Sequence, residues 1–109
     1  MTRTESRPAQ VDRHEQVLNA DGGRWVVTGP LTINNVARVL AASVAAPLPA
    51  SGKVDLQGVD PVDSAGVAIL LEWKRRAAAE RKSLAFENVP PSMASLAELY
   101  GVNLLLSGT

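Results

Sequence analysis

The stretch Val59-Asp60-Pro61-Val62-Asp63-Ser64-Ala65-Gly66 decides the fold, because it lies between a strand-like run and the best helix in the chain. Upstream, Lys53-Val54-Asp55-Leu56-Gln57 alternates apolar and polar residues at period two, the pattern of a β-strand. Downstream, Gly66, Ile69, Leu70, Trp73 and Ala77 recur at helical spacing and form one stripe, which predicts a helix from Ala65 to Arg81. Between the two, Asp63 or Ser64 can cap the helix, a side-chain oxygen accepting from a free amide of the first turn. A strand end, a tight loop and the positive end of a helix make a good seat for function.

Working outward, Val17-Leu18-Asn19-Ala20 and Arg24-Trp25-Val26-Val27-Thr28 read as two strands of a hairpin, turned by Asp21-Gly22-Gly23. Trp25 is expected to cover one sheet face rather than to stack on a ligand. Gly29-Pro30 breaks that strand, and Thr32 is placed to cap a helix whose stripe is Ile33, Val36, Ala37, Leu40 and Val44. The Pro-containing run from Ala45 to Gly52 then reads as a surface loop. Beyond the central helix, Ser83 to Val89 is a further strand. Pro91 opens a third helix with Met93, Leu96, Ala97 and Tyr100 inward, and Gly101 closes it. Residues Val102 to Leu106 give a last strand.

The order β-β-α-β-α-β-α-β predicts an α/β fold: a mixed, mostly parallel sheet of about five strands with three main helices and right-handed crossovers. Residues 1–16 read as a disordered leader, 17–106 as one domain and 107–109 as a short tail. The 109 residues suit one small domain.

Composition narrows the function. Lys plus Arg equal Asp plus Glu at 11 each, so no net field draws the chain to nucleic acid or anionic lipid. The basic run Lys74, Arg75, Arg76, Arg81 and Lys82 is interrupted by Glu72 and Glu80 and reads as a solvated face near a helix C-terminus. The absence of cysteine removes disulfides and thiol chemistry. A polar start without an apolar signal core, and no apolar run of about 20 residues, predict a cytoplasmic protein without direct membrane insertion.

Catalytic residues are not expected. The sole histidine, His14, lies in the leader, so Ser64 lacks a base, and no phosphate-cradling G-x-x-x-x-G-K-[ST] occurs. Asp55, Asp60 and Asp63 match no calcium-loop spacing, so neither a metal nor another cofactor is expected. The residues leave two readings of the helix start: Ser64 is only its cap, or it lies on a docking surface. The helix start offers free amides, and the small residues Ala65, Gly66 and Ala68 let another protein approach closely. Asp63 and Ser64 form the lip, and the Gly29-Pro30-Leu31 loop opens on the same sheet end in this βα order. The expected partner-binding set is therefore Asp63, Ser64, Ala65, Gly66, Ala68, Pro30 and Leu31.

The run Val54-Asp55-Leu56, then Val59, then Val62-Asp63-Ser64-Ala65-Gly66-Val67 resembles the STAS domain (sulphate transporter and anti-sigma factor antagonist). That family carries a hydrophobic strand followed by Asp-Ser-Ser-Gly or Asp-Thr-Gly-Gly at a helix start, and the likeness runs from Leu18 to Leu106. In the anti-sigma factor antagonists the hydroxyl just before the signature glycine is phosphorylated. Here that position is Ala65, which has none. Ser64 matches the threonine of the Asp-Thr-Gly-Gly version, found in the small STAS subunits of Mla-type phospholipid-transport ABC systems. Val67-Ala68-Ile69-Leu70-Leu71 and Leu96-Ala97-Glu98-Leu99-Tyr100-Gly101-Val102 also suit that group, while Ala65 departs from its usual glycine. The resemblance implies a non-catalytic accessory subunit that binds the ABC transporter ATPase, and through it a permease, and so sits peripheral to the inner membrane. The alternative it leaves is an anti-sigma factor antagonist-like regulator lacking the usual phospho-acceptor.

Overall fold

Two long apolar-rich runs lie side by side at the centre of the sheet and fix everything else. In a computed structural model, which describes residues 18–21 and 23–103, they are β2 (Arg24–Leu31) and β3 (Lys53–Val62). They pair in parallel from Trp25↔Val54 to Leu31↔Val62. The edge strand β1 (Leu18–Asp21) folds back antiparallel on β2 through a turn at Gly23, whose φ of 79° glycine enters without strain. On the other side β4 (Ala85–Glu87) pairs in parallel with β3, giving the order β1-β2-β3-β4.

Three helices lie wholly within the described residues: α1 (Val36–Val44), α2 (Ser64–Ala79) and α3 (Pro91–Leu99). Successive crossovers from β2 to β3 to β4 advance in one direction across the sheet. Right-handed connections therefore place the helices on one face, with α2 in the middle touching α1 and α3. The predicted small α/β domain with a largely parallel sheet is what forms, with four strands among the described residues where about five were expected.

The boundaries differ in instructive ways. Gly29-Pro30 does not end β2; the ladder absorbs an irregularity between Gly29 and Leu31 and resumes at Leu31↔Val62. Correspondingly β3 does not stop at Gln57 but runs to Val62, because β2 offers it a partner that far. The loop after α1 is not all surface: Leu48 is buried in the core. In the expected last strand, Val102 is in neither strand nor helix and Asn103 is helical, while 104–106 lie outside the described residues. The leader and tail fall outside them too.

Between sheet and helices the core gathers Val27, Leu31, Val54, Leu56, Val59, Leu70, Met93 and both tryptophans. The rings of Trp25 and Trp73 meet edge to face, with centroids 5.4 Å apart and planes at 72°. Trp25 is thus the sheet-covering aromatic that its strand position predicts. Pro91 is the first residue of α3. Gly101 ends that helix as expected, at φ 73°, with Val102 N–H donating to the Ala97 carbonyl and Gly101 N–H to that of Glu98.

Opposite faces of β3 are sealed differently. Val54 and Leu56 point to the helices, so Asp55 points away from them, yet only 9% of it is exposed. One carboxylate oxygen accepts from Gln57 N–H (2.9 Å) and the Asn88 amide (3.1 Å); the other lies 3.8 Å from Arg24. Glu87 continues this cross-strand network to Arg24 (3.6 Å) and Lys53 (3.5 Å). The Gln57 amide first, then Asn88 and Arg24, hold the Asp55 carboxyl below its ordinary value of 3.8, against the opposing effect of burial.

Two predictions follow from this packing. Because the folded state depresses the Asp55 pKa, its contribution to stability is complete above the unfolded value and is lost as pH falls through the lower folded one. Melting temperature should therefore fall between pH 5 and pH 2.5 less steeply in Asp55→Asn than in the wild type; parallel curves would refute the assignment. The second concerns the junction of α2 with the sheet. A Cβ on Gly66 would lie 2.6 Å from the Leu31 carbonyl oxygen and 2.6 Å from Val62 Cγ2. Gly66→Ala should therefore lose about 1–3 kcal/mol to overpacking despite alanine's better helix propensity, read as a lower denaturant midpoint.

Candidate functional site

Asp63 builds the junction between β3 and α2. Its extended backbone (φ −132°, ψ −167°) ends the strand, and its N–H donates to the Leu31 carbonyl at 3.2 Å, so it stays tied to β2. One carboxylate oxygen accepts from Ala65 N–H at 2.8 Å and caps α2. The other accepts from Ile33 N–H at 3.0 Å, in the turn that leads to α1. Of the two residues that the sequence offers as cap, the structure selects Asp63. One carboxylate thereby joins the start of α2 to the turn that precedes α1, at one end of the sheet.

The turn before α1 is held from its other side by Asn35. Its side-chain oxygen accepts from Thr32 N–H (2.8 Å), and its amide donates to the Pro30 carbonyl. Thr32 is therefore not the cap; the helix begins at Val36, with Asn35 in the N-cap position.

The expected docking residues separate into two groups. Ser64 and Ala68 are exposed, and Asp63, Ala65 and Pro30 are half-buried. Gly66 and Leu31 are buried, Leu31 with no exposed surface at all. Their contribution is to let α2 close on the sheet, and a partner can meet only the outer group.

Between α1 and α2 runs an open groove of about 330 Å³, lined by Val36, Leu40, Ala65, Ala68, Ile69 and Glu72. The small side chains Ala65 and Ala68 keep its floor low. Beside it, Ile33 is 72% and Val44 70% exposed, and Leu40 is more exposed than buried helical leucines usually are, at 37%. This corrects the orientation expected for α1. Of the expected stripe only Val36 packs partly against the core, while Ile33, Ala37, Leu40 and Val44 are exposed; Val39 and Ser43 are the buried residues of the helix. The buried serine is satisfied, its Oγ donating to the Leu40 carbonyl (2.7 Å) and accepting from Trp73 Nε1–H (2.9 Å). The helix turns its serine inward and leaves branched apolar side chains outside.

Sequence reasoning missed Ile33, Leu40 and Val44 as surface. A signal was present: α1 reads VARVLAASV, apolar nearly all round, with Arg38 its single charge. Such a helix at the end of a helical layer has one apolar side too many for its own core. The groove's rim is charged at Glu72, which Arg75 holds below the usual carboxylate range by hydrogen bonds of 2.5 and 3.1 Å.

Ser64 is exposed at the helix lip; among the described residues no His occurs and no three acidic or His side chains gather. The surface offers shape and apolar area, and the amides of Ala65, Gly66 and Val67 at the helix start are already taken up by Asp63. Among the described residues, no helix is long and apolar enough to cross a membrane.

Comparison with known proteins agrees with the geometry. A solved structure described as "Crystal Structure Analysis of Mglu" superposes with a TM-score of 0.52 at 22% identity, over 70% of this chain and 20% of that one. At that identity the likeness is one of fold, and the chain corresponds to about a fifth of the other protein's length. No curated protein sequence matches the chain. The family model described as "Mlab, STAS domain" matches residues 13–107, a span that takes in every described strand and helix together with the Asp63–Gly66 junction. The chain belongs to this MlaB-type STAS family.

Proposed function

We propose that the chain is a non-catalytic accessory subunit that binds and supports the ATPase of a Mla-type phospholipid-transport ABC system. The observation that carries this reading is the apolar groove between α1 and α2, opening beside Ser64, in a chain of the MlaB-type STAS family. Ile33, Leu40 and Val44 keep apolar surface in water that a partner protein would cover. The ATPase would approach over Ser64, Ala65 and Ala68 and rest on α1. Its attachment would hold the subunit on the cytoplasmic side of the inner membrane without inserting it.

A second reading, an anti-sigma factor antagonist-like regulator, is favoured by one observation: the Ser64 hydroxyl is exposed at the start of α2. The usual acceptor position is occupied by Ala65, which cannot be phosphorylated. Protein isolated from its native host should therefore show no signature-site phosphate by intact mass spectrometry. A stoichiometric phosphate on Ser64 would sink the accessory reading in favour of the switch.

The docking test uses Ser64→Arg and Ala68→Arg, both at exposed positions. Each should keep the wild-type circular dichroism spectrum, because neither side chain enters the core. Co-purification with the ATPase of the host's Mla-type transporter should fall by about tenfold or more, as expected when a long cation meets a close apolar contact. Folded variants that bind as the wild type does would place the docking surface elsewhere.

A further inference from the structure

Arg76 is a basic residue that the sequence places on a solvated face, yet three-quarters of its side chain is covered. Its guanidinium reaches across from α2 to the last turn of α1. One terminal nitrogen donates to the Ser43 carbonyl at 2.9 Å and the other to the Ala46 carbonyl at 2.8 Å, while Nε pairs with Glu80 at 2.9 Å. The Ser43 carbonyl, which also accepts from Ala46 N–H at 3.1 Å, and the Ala46 carbonyl just past the helix thus both face a cation from the neighbouring helix, which suits the negative end of α1. Trp73, one residue earlier on α2, adds its indole N–H to the Ser43 hydroxyl.

Helix α1 is therefore fastened at both ends by polar groups. Asp63 of the β3–α2 junction holds the Ile33 amide in the turn before the helix, and Arg76 holds the Ser43 carbonyl of its last turn and the Ala46 carbonyl just beyond. Between these clasps apolar packing is sparse. The helix has nine residues and buries two of them, and the space facing Val36 and Leu40 is the open groove. An apolar helix held by packing alone settles onto the small residues opposite it. Fastening at the ends leaves the cleft open.

We propose that Arg76 is a positioning residue for this groove: by holding the carbonyl end of α1 it sets where α1 lies against α2, and so the width of the cleft that the partner enters. The inference rests on the docking reading above, and adds that a residue outside the cleft lining controls its fit. Arginine suits the task because its planar fork reaches two carbonyls and a carboxylate at once. A lysine ammonium is a single compact donor centre and cannot span all three.

The test compares full-length wild type, Arg76→Ala and Arg76→Lys by amide hydrogen exchange and by affinity for the ATPase of the host's Mla-type transporter. Leu96→Ala is the control, a partly buried α3 position on the far side of α2 from α1. In Arg76→Ala, exchange should quicken in α1 while α2 and the central strands keep their protection, and affinity should fall by about tenfold or more. Arg76→Lys, which keeps the charge, should show the same α1 pattern in weaker form, and it decides the question if Arg76→Ala does not fold. Unchanged α1 exchange in the folded variants overturns the proposal. Faster α1 exchange with wild-type affinity overturns it as well, as does an equal loss of affinity in Leu96→Ala, which would trace the effect to global stability. A wild type that does not bind the ATPase would overturn the proposed function and the link to docking, while exchange still decides whether Arg76 holds α1.

Discussion

The contact between the first turn of α2 and the end of β2 is the constraint on which the remaining structure depends. Gly66 lies so close to the Leu31 carbonyl and to Val62 that no side chain fits between them. Closing this gap presses α2 against the sheet, brings Val67, Ile69, Leu70 and Trp73 into the core, and leaves the preceding residues, Asp63 to Ala65, at the sheet's end. Asp63 then reaches the first turn of α2 and the turn that precedes α1, and satisfies an amide in each. Glycine in a helix interior costs about 1 kcal/mol relative to alanine. At this position the steric gain outweighs that cost, so the signature glycine belongs to the architecture even though its neighbours face outward.

The same geometry explains the unequal treatment of the two sheet faces. Crossovers that advance in one direction can cover only one face, and the other must be closed by the strands themselves. Arg24, Lys53, Asp55 and Glu87, drawn from three adjacent strands, do so with ion pairs of 3.5–3.8 Å. Exposed pairs at such distances contribute little each. The better-placed groups are the neutral donors, Gln57 N–H and the Asn88 amide, which satisfy Asp55 directly. Asn88 can serve because it adopts a left-handed backbone, φ 56°, which asparagine tolerates better than most residues.

Much of this was legible in the sequence, and the failures have a common cause. Period-two alternation located β3, the hairpin turn at Asp21-Gly22-Gly23 located β2, the i, i+3, i+4 stripe identified every buried residue of α2 except Val67, and Gly101 marked the end of α3. Local patterns of that kind record one element at a time. The continuation of β2 through Gly29-Pro30 depended on the strand beside it. The orientation of α1 depended on a tryptophan 30 residues away, whose indole N–H needed an acceptor and drew Ser43 inward. Arg76 looked like surface charge because its acceptors are backbone carbonyls of another helix, which no side-chain pattern reveals. At the candidate site, the lip residues were readable from the helix start. The groove wall was not, because it is the side of α1 that the core rejected.

That rejection has an energetic meaning. Burying an isoleucine, leucine or valine side chain is worth about 1.5–3 kcal/mol, so a helix that exposes Ile33, Val44 and part of Leu40 forgoes several kcal/mol of folding stability. Hydrogen bonds to charged groups, about 1.5–3 kcal/mol each, are of the right size to hold α1 in place instead, through Arg76 at one end and Asp63 at the other. Polar fastening and apolar exposure are therefore two halves of one arrangement. The first makes the second tolerable in the free protein, and the uncovered apolar surface remains available as a driving force for association.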